Sequence, residues 1–250
     1  MPANRRVLIA GESWVTTTTH VKGFDSFTTS SYGEGADALR AALTAGGFTV
    51  DFLPNHLAPT QFPSTPEALD AYGCIILSDI GTNTLLLAPA TWERGQSTPN
   101  RLELLRAYVE RGGGLVMVGG YLTFQGIEGK GKWSGSPVEA VLPITIQTVD
   151  DRVERPEGIA PKTVAAHPMV AGLEGEWPAV LGYNRVTASP DAQVVAQVGD
   201  DVLLACRIVG AGRTVAYTTD CGPHWCPPPF VAWPGYARLW QQMVGWAAGD

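Results

Sequence analysis

The apolar run Leu115-Val116-Met117-Val118 is entered from Gly112-Gly113-Gly114 and left through Gly119-Gly120. A short uninterrupted apolar run between glycines suits a strand covered on both faces, and hence a parallel sheet with helices above and below it. In such sheets ligands bind beyond the carboxyl ends of the strands, so the residues that follow, Tyr121 to Gln125 and Gly126, fall where chemistry is done. A glycine-flanked turn from strand to helix is also the form of a nucleophile elbow, in which a strained backbone pushes one side chain out at the sheet edge. Serine or cysteine usually holds that point; here it is Tyr121.

The flanking segments repeat the pattern. Arg6-Val7-Leu8-Ile9-Ala10, residues 49–53 and Cys74-Ile75-Ile76-Leu77 read as further buried strands. Helices are predicted over residues 35–46, over a short segment opened by Thr65-Pro66, and over residues 99–111. Alternating strands and helices at these intervals give right-handed βαβ units and a doubly wound, mostly parallel sheet of flavodoxin-like type. Beyond Gln125 the texture becomes β-rich: residues 144–149, 194–198, 202–208 and 214–218 read as strands, with a hairpin turn at 209–213 and antiparallel pairing in the C-terminal half. Residues 236–248 form an amphipathic helix that caps one face through Leu239, Trp240, Met243 and Val244. Residues 16–32 show neither period and are expected to be a binding loop or lid, whereas the charge-dense residues 150–156 read as a solvated hairpin tip.

With 250 residues, nearly half of them hydrophobic, the chain can fill a core without disulfides and is expected to form one domain over residues 1–250. A net charge of −7 without a basic run argues against a nucleic-acid partner, and the N-terminal apolar run is too short for a signal peptide or membrane span. A small polar metabolite is the expected partner, in the cytoplasm. Cys221 and Cys226 bracket His224, yet no second Cys/His pair with zinc spacing exists, so neither a metal nor another cofactor is expected.

The polar residues that fall at strand ends are Glu12, Asp79, Tyr121, Gln125, Asp220, His224 and Trp225, and their shared edge makes them the candidate site. Tyr121 and His224 are the candidate acid and base. Glu12, His20, Asp79, Gln125, Asp151, Arg152, Asp220 and Trp225 are candidates for binding the ligand, and Trp14, Trp133, Trp225 and Trp233 are aromatic residues available to stack on it.

The chain resembles the class I glutamine amidotransferase superfamily, and within it a group of bacterial cytoplasmic proteins without assigned chemistry. The resemblance spans nearly the full length and rests on His20-Val21-Lys22-Gly23-Phe24-Asp25, on residues 77–83, on Gly119 to Gly126, on residues 150–158, on Leu181-Gly182-Tyr183-Asn184 and on Gly222-Pro223-His224-Trp225. Ala166-His167-Pro168-Met169-Val170-Ala171-Gly172-Leu173 also resembles the trehalose-utilisation branch.

The resemblance implies a Gly-x-Cys-x-Gly elbow and a histidine followed by proline and glutamate. Here Tyr121 replaces the cysteine, Thr123 replaces the second glycine, and Trp225-Cys226 follow His224. A phenol is a poor acyl acceptor, so thioester glutaminase chemistry is not expected. Three functions therefore stand open. The first is an enzyme-like domain that binds or transforms a small polar metabolite such as a sugar derivative. The second is a non-catalytic sensing or assembly module, whose tryptophan-rich tail 225–246 and Pro227-Pro228-Pro229 could hold a homo-oligomer together. The third is an amidotransferase with an atypical nucleophile, Cys221 or Cys226.

Overall fold

The computed structural model describes residues 4–173 and 175–250. Its strands, in chain order, are β1 (Arg6–Gly11), β2 (Ser13–Lys22), β3 (Asp25–Glu34), β4 (Thr49–Leu53), β5 (Cys74–Ser78), β6 (Gly114–Val118) and β7 (Ile144–Ile146). They continue with β8 (Arg152–Ile159), β9 (Lys162–Thr163), β10 (Val180–Asn184), β11 (Val186–Ala188), β12 (Gln193–Val198), β13 (Asp201–Val209) and β14 (Gly212–Tyr217). One eight-stranded sheet has the order β4-β1-β5-β6-β14-β13-β12-β9. From β4 to β14 every neighbour is parallel; from β14 to β9 every neighbour is antiparallel. The all-apolar β6 sits between β5 and β14 and is buried along its whole length, as its sequence requires.

Side-chain alternation divides the core into two. Val7, Ile9, Val116 and Val118 face helices Asp37–Ala45 and Gly235–Ala248, where they meet Leu39, Leu43, Trp240 and Met243. Leu8, Ile75, Leu115 and Met117 face the opposite layer, built from helix Arg101–Glu110 and the long segment after β6. The strands thus alternate in pleat but not in polarity, because both faces are covered. Short helices begin where capping chemistry allows: the Thr65 hydroxyl accepts from Ala68 N, and the Asn100 carboxamide accepts from Leu102 N and Glu103 N. Among the described residues no helix is long and apolar enough to cross a membrane.

Three expectations are corrected. Residues 16–32 are not a loop: β2 and β3 pair in an unbroken antiparallel ladder from Ser13↔Glu34 to Lys22↔Asp25. Threonine-rich strands carry β-propensity without apolar alternation, which is why a periodicity reading misses them. Gly23, at φ +65, takes the first central position of the two-residue turn. Residues 150–156 are not a solvated tip either, since Asp151 is buried and Arg152 opens β8, which pairs with β10. Finally, β6 does not run into a helix. A coil follows, and its left-handed non-glycine residues are Phe124, Glu128 and Lys132, so the backbone at Tyr121 lacks the strain of an elbow.

Candidate functional site

The carboxyl ends of β1, β5, β6 and β14 are brought together by close backbone approach. Gly11 has φ +114, and a Cβ there would lie 1.8 Å from Ser78 O. Gly119 donates its N–H to Tyr217 O at 2.7 Å and to Thr219 O at 3.0 Å, and a Cβ on it would lie 2.0 Å from Thr218 O. Only glycine permits either contact. The residues that follow, Glu12 at φ 47 and Asp79 at φ 45, stand in left-handed backbone, a conformation that costs a non-glycine residue about 1–3 kcal/mol and concentrates at functional sites.

Glu12, Asp79, Tyr121, Asp220 and His224 line a cleft of about 220 Å³ together with Trp14 and Pro223. Three of the seven are carboxyl groups, and no lysine or arginine lines the cleft. Burial first, then the neighbouring Asp79 charge, pushes Glu12 up to about 7, against the Ser78 hydroxyl that donates to it. Burial also raises Asp79, although it accepts from Leu122 N at 2.7 Å and faces His224. Asp220 is raised well above its ordinary value by burial and by Glu12 and Asp79, while accepting from Cys221 N at 2.6 Å. With Glu12 raised to about 7, the cluster carries protonated as well as ionised carboxyl near neutral pH and can both donate and accept.

The Tyr121 and His224 rings meet edge to face with centroids 4.5 Å apart. The Tyr121 hydroxyl, however, donates to Glu154 Oε1 at 3.0 Å, and Trp225 Nε1 donates to Glu154 Oε2 at 2.9 Å. Arg152 lies over the Tyr121 ring at 4.6 Å. Burial and the Glu154 hydrogen bond both raise the phenol above its ordinary value, so it holds its proton. His224 Nδ1 stands 4.0 Å from Asp220 Oδ2, and its side chain is half exposed.

The remaining candidates fall elsewhere. Asp151 lies beneath the segment after β6, where it accepts from Gln125 N, Gly126 N and Asn184 Nδ2 at 2.8–2.9 Å. The Gln125 side chain staples that segment through Thr148 O and Ser134 N. His20 lies out on the β2–β3 hairpin, stacked on Phe27 at 4.6 Å, because a strand rather than a folded-back loop carries it. Trp225 is buried behind Tyr121, Trp133 is buried with its N–H on Ile80 O, and Trp233 packs on Phe230 and Trp177, so of the four tryptophans only Trp14 reaches the cleft. Glu154, which fastens Tyr121 and Trp225 together, had no signal in the sequence beyond its place in a charged run.

All four cysteines are free and buried. Cys221 lies against Glu12 and Ser78, and burial holds its thiol well above the ordinary range. Among the described residues Glu12, Asp220 and Cys221 have ligand-type atoms within 4.8 Å of one another and are the set that could hold a cation; His224 and Cys226 are not part of it.

A doubly wound sheet with polar residues gathered at its carboxyl edge, a glycine-pair exit from the central strand and a histidine beyond the last parallel strand define an amidotransferase-like fold. The chain belongs to the family described as "Putative glutamine amidotransferase", whose model matches residues 6–249. Two cytoplasmic proteins of Salmonella typhimurium are similar over nearly their full length. One shares 42% identity over 96% of this chain and 98% of its own, and the other 42% over 97% and 99%, each with a TM-score of 0.93. A ThuA-like protein of Parabacteroides merdae shares the fold at 14% identity, over 98% of this chain and 89% of its own, with a TM-score of 0.57. A comparison with curated proteins finds no match.

Proposed function

We propose that this member of the amidotransferase family has lost thioester glutaminase chemistry and binds a small, uncharged or cationic polar metabolite, such as a polyhydroxylated sugar derivative, in the cleft at the carboxyl edge. The observation that carries the reading is the convergence of Glu12, Asp79 and Asp220 on one cleft with no lysine or arginine in its lining. Carboxyls with raised proton affinity offer paired donors and acceptors, which suits vicinal hydroxyls and repels an anion. The position of the usual nucleophile is held by a phenol that keeps its proton on Glu154, and the cysteine beside the acids is buried. Within this reading His224, exposed beside Asp220, is the group able to move a proton at the ligand, and Tyr121 shapes the wall against it.

A second reading, a binding module without turnover, is favoured by the same Tyr121–Glu154 bond, which withdraws the phenol from the cleft. The experiment is in two arms. Glutamate release from glutamine is measured for the wild type and for Cys221→Ser; no release above the enzyme-free rate is expected, and release abolished in the variant would overturn the proposal. Calorimetric titration with polyols, sugars, amines and sugar acids is then run on the wild type and Asp220→Asn. Binding of neutral or cationic ligands that weakens at least about tenfold in the variant, as loss of one hydrogen bond to a buried polar group predicts, supports it. Binding confined to the sugar acids refutes it. Turnover of the bound compound, lost in His224→Ala, separates the enzyme from the module.

A further inference from the structure

The β2–β3 hairpin projects from the body as an isolated ribbon: from Trp14 to Tyr32 every residue is exposed. Ten residues per strand give it a length of about 33 Å, and a lone two-stranded ribbon is marginal in water without further packing. Its side chains are not those of a solvated arm. Between Trp14 and Val21, and again between Phe27 and Gly33, there is no lysine, arginine, aspartate, glutamate or proline to guard the open edges.

The two ends of the ribbon complement one another. At the tip Phe24 is fully exposed. At the base a largely apolar pocket of about 370 Å³, roomier than a phenyl ring, is lined by Trp14, Val15, Tyr32, His56, Thr84 and Leu122. The charges match as well: Lys22 and Asp25 sit at the tip, and Glu34, Asp37 and Arg40 cluster at the base. The Lys22 ammonium lies 5.7 Å from the Phe27 ring, and Asp37 is almost fully exposed. A hairpin cannot bring its own tip to its own base, but a second copy related by a two-fold axis across the ribbon can.

We propose that the hairpin is a dimerisation arm, by which two copies of this chain lie antiparallel so that Phe24 of each enters the base pocket of the other. The arrangement is closed and isologous, with the axis passing near Thr17 and Thr18, whose uncharged neighbours tolerate self-contact. Trp14, Phe24, Phe27 and Tyr32 alone expose on the order of 500 Å² of aromatic surface. Cross-strand partners share a face, so one face of the ribbon carries Val15, Val21 and Tyr32 with Thr17, Thr19 and Thr28, and the other carries Trp14, His20 and Phe27 with Thr16 and Thr18; the antiparallel seam buries one of these faces together with the two tips. The tryptophan-rich tail does not compete for this role, because Trp225 and Trp240 are buried and Trp233 and Trp246 pack onto the same core. Since Trp14 borders both the pocket and the ligand cleft, the partner's tip would lie beside the cleft mouth.

The test is the mass of the full chain in solution by sedimentation equilibrium or light scattering. The wild type is expected at twice the 26.6 kDa chain mass. Phe24→Asp at the tip and Val15→Asp at the base should each fall to one chain mass with unchanged far-ultraviolet circular dichroism, while Val149→Asp, at an exposed apolar residue away from the arm, should leave the mass doubled. A wild type that stays at one chain mass at the highest soluble concentration overturns the proposal. So does a doubled mass that survives both Phe24→Asp and Val15→Asp.

Discussion

Replacing Glu12 by glutamine separates a carboxylate kept for function from one kept for stability. Glu12 is buried, strained at φ 47 and pushed up to about 7 from the 4.5 of a free glutamate. A group whose folded-state value is raised contributes its full stability below the unfolded value and loses it as pH rises through the folded one, so the cost of ionising Glu12 develops between pH 4.5 and about 7. At about 1.4 kcal/mol for each tenfold change in proton affinity, the full displacement corresponds to about 3 kcal/mol. Glutamine preserves the shape and can still accept from Ser78, but never ionises. Glu12→Gln should therefore match the wild type near pH 4.5 and exceed it by about 3 kcal/mol near pH 8, which in a chain of this size is roughly 6–12 °C in thermal midpoint. Urea unfolding at a series of pH values reads the difference directly, because titrations common to both proteins cancel. A difference that stays flat with pH, or a variant less stable than the wild type near pH 8, would refute the argument. Enhanced stability with weakened ligand binding is the pattern of a residue held against the fold for function.

Other substitutions test the scaffold. Asp151→Ala removes an acceptor from Gln125 N, Gly126 N and Asn184 Nδ2, and should cost about 3 kcal/mol or more by urea midpoint; a loss under about 1 kcal/mol would show that the segment after β6 is held by packing alone. Gly119→Ala sets a methyl against Thr218 O and should cost at least about 3 kcal/mol, checked by the same transition. Tyr121→Phe removes only the bond to Glu154 at a partly exposed site, and its thermal midpoint should stay within about 3 °C of the wild type; a larger fall would mark the Tyr121–Glu154–Trp225 cluster as a structural centre.

The segment after β6 shows where a local pattern misleads. Glycines flank Tyr121 as they flank a nucleophile, yet the chain continues as coil, anchored from below by an acidic residue of the 150–156 run. Nothing near Gln125 announces that its backbone partner lies 26 residues away. The charge-dense run was legible as polar but not as divided, with Asp151 buried, Arg152 on a ring and Glu154 joining Tyr121 to Trp225.

By itself the sequence determined the doubly wound sheet, the antiparallel extension and the edge at which Glu12, Asp79, Tyr121, Asp220 and His224 assemble. Apolar period, caps and glycine exits are local, and the covered parallel sheet is the solution in which all of them are satisfied at once. Only the tertiary structure decided how protons and bonds are placed there: that Tyr121 turns to Glu154, that burial and then neighbouring acids raise Glu12 and Asp220, and that His20 rides a ribbon away from the cleft. These depend on desolvation and on distances between segments far apart in the chain, which no periodicity encodes. The hairpin belongs to the same class, since a threonine ribbon has no core of its own to advertise and draws its meaning from what lies across it.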